Sequence, residues 1–205
     1  MAGVTLTYKG STIAEMSNSG SKTLKTSGKY CEGDIVVNYV KPESGGTSDE
    51  LVKQLVQYRN GTVTIPGDIG ITKIAAYAFA YSNYNKINLP EGVTEIDNYA
   101  FYYGHMSTMV LPQSITKIGT YAFGLCKYLG SITFPQNLET IKSSAFSNCE
   151  LLSSVTFKGT PTSIASDAFQ ACTNLTTINV PWAEGAVANA PWGAINATIN
   201  YNYTE

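Results

Sequence analysis

The chain has 205 residues, a formal net charge of −2 at pH 7, 14% charged residues, 14 Tyr and 18 Gly. That length allows one or two domains, and the weakly acidic balance excludes the basic footprint of a nucleic-acid binder. No run of about 18 apolar residues occurs, so no membrane insertion is expected.

The first residues, MAGVTLTYKGSTIAEM, lack the charged start and apolar core of a signal peptide, which implies a removed signal or a protein made and used without Sec export. Residues 1–40 read as a small β module. VTLTYKGSTIAEM alternates like a strand before turning through SNSGS, and further strands are expected near KTLKT and at DIVVNYV. So few large apolar side chains give a marginal independent core. The module is therefore expected to pack against the rest of the chain, another copy or a larger assembly. Residues 41–48, KPESGGTS, are a polar linker. The spacing then predicts a capping helix over 49–58, in TSDELVKQLVQY. Thr47 and Glu50 have capping-box spacing, and Leu51/Leu55 with Val52/Val56 make an apolar stripe. Its alternative role is a partner-binding amphipathic helix. Asn60-Gly61 signals a turn.

From residue 59 to 205 the sequence repeats. Ala-Phe recurs at 78–79, 100–101, 122–123, 145–146 and 168–169, and an isoleucine precedes each Ala by four positions, at Ile74, Ile96, Ile118, Ile141 and Ile164. Apolar-Pro pairs close most units: Leu89-Pro90, Leu111-Pro112, Phe134-Pro135 and Val180-Pro181. Within one unit, SITKI reads as a short strand with Ile115 and Ile118 inward, TYAFGLC as one helical turn, and LGSITF as a strand burying Ile132 and Phe134. No unit can bury its apolar face alone, so units must stack with strands about 4.8 Å apart. Trp182 and Trp192 flank the last unit and are expected to seal it, with carbohydrate stacking as the alternative.

Cys126, Cys149 and Cys172 share one register three residues after the Phe, where Ser82 and Gly104 stand in the earlier units. That pattern asks for a small buried side chain, with a metal or redox ladder as the alternative. The four cysteines form no C-x-x-C pair. Tyr77, Tyr99 and Tyr121 hold one register immediately before Ala-Phe and should form a column, to which Tyr81, Tyr84, Tyr102 and Tyr103 add, with Tyr128 further round. Tyrosine mixed with Ser, Gly and Asn is the chemistry of antibody paratopes, so this face and His105 beside it are the candidate ligand-binding residues. Some of the rings could equally serve only to cover the turns. The rival surface is the sheet face, through Asn88, Thr133, Thr156 and Asn179. His105 is the only histidine, no G-x-S-x-G elbow or phosphate loop occurs, and Glu91, Glu95 and Asp97 read as a solvated strand and turn rather than a cation site. No cofactor, metal or enzymatic role is expected.

The repeat, clearest in NLETIKSSAFSNCELLSSVTF, resembles the BspA-type leucine-rich repeat over roughly residues 62 to 200. The first two units depart from it by lacking one residue after the Phe. The resemblance implies an α/β solenoid, a right-handed curved array of short strands and short helical turns, used for binding or adhesion. Tyr8, Gly10, Ile13, Thr23, Leu24, Gly28, Lys29, Asp34, Ile35, Val36 and Val37 form a pattern similar to a module near the front of phage and prophage tail-associated proteins. Together the two resemblances imply a receptor-binding tail component, or a cell-surface adhesin, whose partner is a protein or glycan on a bacterial surface. Residues 1–40 would then serve self-association or tail assembly.

Overall fold

The computed structural model describes residues 72–82 and 85–204 in full. Ahead of these it describes strands Val4–Tyr8 (β1), Ser11–Met16 (β2), Gly20–Thr26 (β3), Gly33–Tyr39 (β4), Lys53–Tyr58 (β5) and Thr62–Thr64 (β6) as backbone. β1 and β2 pair antiparallel, and β3, β4 and β5 form an antiparallel sheet with β4 in the centre. Where alternation predicts one strand in VTLTYKGSTIAEM the chain instead forms two, β1 and β2, paired with each other, while β3 and β4 lie where strands are expected at KTLKT and DIVVNYV. The end of the predicted capping helix is a strand instead: β5 lies against β4 with Val36 opposite Val56 and Val37 opposite Leu55. A helix of about ten residues is marginal by itself, whereas β4, paired on one side by β3, has a second row of backbone groups to satisfy. That pairing outweighs a local helical stripe. Residues 41–52 and Asn60-Gly61 lie outside the described residues.

Beyond β6 the chain winds into coils of 22 or 23 residues. One edge of the coils is a five-stranded parallel sheet of two-residue strands: Lys73–Ile74 (β7), Glu95–Ile96 (β9), Lys117–Ile118 (β10), Thr140–Ile141 (β12) and Ser163–Ile164 (β14). Another is built from Ser131–Phe134 (β11), Ser154–Phe157 (β13), Thr177–Asn179 (β15) and Thr198–Asn200 (β16), again parallel. It continues through the bridges Thr108–Ser131 and Asn88–Val110 to Lys86–Asn88 (β8), which pairs with β6. Between the two short coils, and between the second of them and the third coil, the sheet thus narrows to single bridges.

The register places like on like. Ile118 lies between Ile96 and Ile141, and Phe134 beside Phe157. In the third coil Ile115, Ile118, Ala122, Phe123, Cys126, Leu129, Ile132 and Phe134 all belong to one continuous core. Each large apolar member contributes roughly 2 kcal/mol by leaving water. Phe79, Phe101, Phe123, Phe146 and Phe169 stack in sequence with ring centroids 4.9 to 5.4 Å apart. Trp182 and Trp192 are buried at the C-terminal end, 6.4 Å apart, with the Trp192 indole N–H donating to the Ala188 carbonyl at 2.7 Å. With both rings buried, neither an edge nor a face is left for a sugar there.

The Ala-Phe segment is not a helical turn. In the third coil the N–H groups of Ala122, Gly124 and Cys126 donate three residues back, to Gly119, Tyr121 and Phe123, at 3.0 to 3.3 Å. The alternate N–H groups, of Tyr121, Phe123 and Leu125, donate to Ser143, Ala145 and Ser147 of the next coil at 2.8 to 3.2 Å. The segment is therefore three overlapping β-turns, laddered to its neighbour like a strand. A helix would keep all these donors within one coil and leave the stack unbonded. Two positions take positive φ in each of the first four coils, Tyr121 (52°) and Leu125 (58°) here, and one, Ala171, does so in the fifth; this is the third residue of a type II turn, which glycine or asparagine adopts most readily.

Candidate functional site

Three successive turns present a continuous aromatic strip. The Tyr77, Tyr99 and Tyr121 rings stack nearly parallel, with centroids 4.9 and 5.2 Å apart and planes within 5° and 11°. That is the strand spacing expressed in side chains. Tyr81 and Tyr103 form a second stack at 5.6 Å. Tyr102 stands edge-on between the two, 5.6 Å from Tyr81, 5.4 Å from Tyr99 and 6.2 Å from Tyr121. Its ring has room because Gly124 lies beneath it: a Cβ there would meet the Tyr121 ring at 2.8 Å and the Tyr102 ring at 3.2 Å. Burial lifts the Tyr102 phenol above its ordinary pKa, and the phenols of Tyr81, Tyr121, Tyr99 and Tyr103 reinforce it. Tyr102 thus has four other phenols as neighbours.

His105 is exposed and extends the strip, 6.1 Å from Tyr103 and 5.2 Å from Tyr128. The structure thus brings together seven of the eight predicted residues, Tyr77, Tyr81, Tyr99, Tyr102, Tyr103, His105 and Tyr121; Tyr84 lies outside the described residues. It adds Tyr128, which is 52% exposed. Tyr128 belongs to no repeated register, so only the fold reveals that it reaches His105 across one coil.

The backbone makes the strip costly. Tyr77, Tyr81, Tyr99, Tyr103 and Tyr121 all have φ between 52° and 60°. Such a conformation costs roughly 1–3 kcal/mol for a side chain of this kind, and ring stacking returns about 0.5–1.5 kcal/mol per pair. In the later coils the same two positions hold Ser144, Leu125, Asn148 and Ala171. The fold tolerates many residues there and does not require tyrosine.

The remaining candidates have structural employment. Glu95 receives Lys117 at 2.7 Å and Lys73 at 3.5 Å, and Asp97 receives Lys73 at 2.8 Å. Partial burial works to raise the Asp97 pKa, but hydrogen bonds from Lys73 and the Asn98 N–H outweigh it and hold the carboxyl below its ordinary value. Glu91 accepts from the N–H groups of Gln113 and Ser114. Among the described residues no cluster of three His, Cys, Asp or Glu could hold a metal ion. Cys126, Cys149 and Cys172 are buried, each thiol donating to a Phe carbonyl of an earlier coil at 3.0 to 3.2 Å. Burial pushes the Cys126 thiol up to about 12. On the rival sheet face, Asn200 donates to Asn179 at 2.8 Å and Asn179 to Thr156 at 3.2 Å, so the ladder spends its groups on itself.

A profile of the BspA type leucine rich repeat region matches six copies over residues 59–183. No curated protein matches the chain. Among solved structures, a leucine-rich repeat protein from Bacteroides ovatus is similar in fold, with TM-score 0.52 and 20% identity over 74% of this chain. The chain spans 47% of that protein's length. A Treponema pallidum leucine-rich repeat protein gives TM-score 0.48 and 24% identity over 58% of this chain and 71% of that one. A leucine-rich cell surface protein from Faecalibacterium prausnitzii gives 0.36 and 18%, over 71% and 60%.

Proposed function

The chain belongs to the BspA-type leucine-rich repeat family, and from that premise we propose that it is a non-enzymatic recognition protein whose tyrosine strip binds a ligand on a bacterial surface. One observation carries this reading: five tyrosines occupy left-handed backbone positions that the same fold fills elsewhere with Ser, Leu, Asn or Ala. A residue kept against its backbone preference is kept for its surface chemistry. Rigid rings with polar tips give large contact area at little entropic cost. The test is binding of the intact protein to whole bacterial cells, compared with a Y81A/Y102A/Y103A variant. Loss of about tenfold or more is expected if the strip holds the hot spots, and unchanged binding removes it from consideration.

A surface placement, as in the Faecalibacterium cell surface protein, makes the chain an adhesin. A second placement is favoured by the pattern from Tyr8 to Val37, similar to phage tail-associated modules. In that reading residues 1–40 attach the solenoid to a virion and the ligand is the host surface. Tail-assembly genes flanking this one support the second placement; a wall anchor in the full gene supports the first.

A further inference from the structure

We infer that the tyrosine strip takes a neutral, hydroxyl-rich glycan chain laid along the solenoid axis; this rests on the recognition reading above and specifies its ligand. The argument begins with which parts of the rings are available. In the Tyr77–Tyr99–Tyr121 column the rings lie almost parallel about one strand spacing apart, so their faces cover one another. Ring faces are the negative part of the aromatic quadrupole, and edges are the positive part. A cation or a proline ring needs the faces. What the column leaves to a partner is mainly edges and hydroxyls, and Tyr102, edge-on to three rings, adds another phenol beside it.

Each phenol is both a donor and an acceptor. The Tyr81, Tyr99, Tyr103 and Tyr121 phenols all lie close enough to Tyr102 to raise its pKa further after burial has done so. The complementary ligand carries many oxygens that accept from phenols and C–H edges, and hydroxyls that donate in return. That is a polyol.

Charge decides between a neutral and an acidic one. Lys127, beside Tyr103 and Tyr128, is engaged by Glu150 at 2.6 Å. Lys73 and Lys117 are engaged by Glu95 and Asp97. An acidic polymer would have to compete with these carboxylates, whereas a neutral one would not. The regular step of the column, 4.9 and then 5.2 Å, suits a ligand that itself repeats along a line.

The experiment uses purified bacterial walls as the probe and the intact protein, measuring depletion from solution. The walls are left untouched, treated with protease, or oxidised with periodate, which cleaves vicinal diols. Two variants accompany the wild type: Y81A/Y102A/Y103A, and Y81F/Y102F/Y103F, which keeps the rings and removes only the hydroxyls. The expected result is binding that survives protease and high salt, falls about tenfold or more on periodate treatment, and falls in both variants. Three results overturn the glycan while leaving the recognition strip standing, provided the Ala variant still loses binding: sensitivity to protease, loss of binding at high salt, or full binding by the Phe variant. Binding that ignores the Ala variant, or no binding to untreated walls, defeats the strip reading and this inference with it.

Discussion

The side chains that decide this protein's chemistry sit where the backbone least wants them. Tyr81 is 63% exposed at φ 57°. Asparagine tolerates that region better than alanine does, so Y81N is expected to be more stable than Y81A by about 1 kcal/mol in urea denaturation. Equal stability of the two would mean that the turn relaxes out of the left-handed region. Gly159 is the converse case, required by contact rather than by φ. A Cβ there would overlap the Gln136 carbonyl group of the preceding coil. Backbone cannot swing aside as a side chain can, so G159A is expected to lower stability by about 1–3 kcal/mol or more in the same assay. A neutral G159A would show that the coils can part locally without loss.

Turns and ladders give the element scale, and the cysteine ladder makes it measurable. The Cys126 thiol is held at about 12 by burial, against about 8.5 for an exposed thiol. Below the lower value both folded and unfolded chains keep the proton, and the buried thiol contributes its full stability. Above it only the unfolded chain loses the proton, so stability falls with rising pH until the folded value is reached. C126S puts a hydroxyl in a slot that Ser82 already fills in an earlier coil. It is expected to remove about 1.4 kcal/mol per pH unit of the decline between pH 9 and 11, read as the difference between wild-type and variant urea midpoints. Parallel curves would mean that Cys126 ionises inside the fold. This ladder was legible in the sequence because burial by small residues leaves a register, as did the Phe stack and the isoleucines. The Ala-Phe turn was misread as helical because its residues favour helix locally, while the pull of the neighbouring coil on alternate N–H groups leaves no mark in a single unit. β5 was misread for a related reason: Leu51/Leu55 and Val52/Val56 satisfy a helical stripe, and only its antiparallel partner β4 chooses the strand. Of the candidate site, the tyrosine columns could be seen from their spacing. The approach of Tyr128 to His105 and the gap that Gly124 leaves under Tyr102 depend on stacking geometry.

At the scale of the whole molecule the solenoid is nearly one-dimensional: each coil is stabilised by its neighbours, and its ends are its weak points. The C-terminal end is closed by Trp192, which is fully buried. Its indole N–H is held by Ala188, and its carbonyl receives the Phe169 N–H that in every earlier coil goes to the Ala of the next Ala-Phe pair. Phe157 lies 6.2 Å from its ring and Trp182 6.4 Å. Replacing a buried Trp by Ala costs roughly 3–5 kcal/mol. In a globule that loss spreads over the whole domain, but in a stack it should fall on the last coil, because only that coil uses the contact. W192A is therefore expected to lose amide hydrogen-exchange protection first in β15, β16 and the connecting turns, while β9, β10 and β11 keep theirs. The tyrosine strip lies in those protected coils and in the coil of β7 and β8 before them, so wall binding by W192A should stay near the wild-type level even as its C-terminal end frays. Uniform loss of protection from β9 to β16 would show that the coils melt as one cooperative unit. Lost binding with protected β9 and β10 would place part of the ligand contact at the C-terminal end.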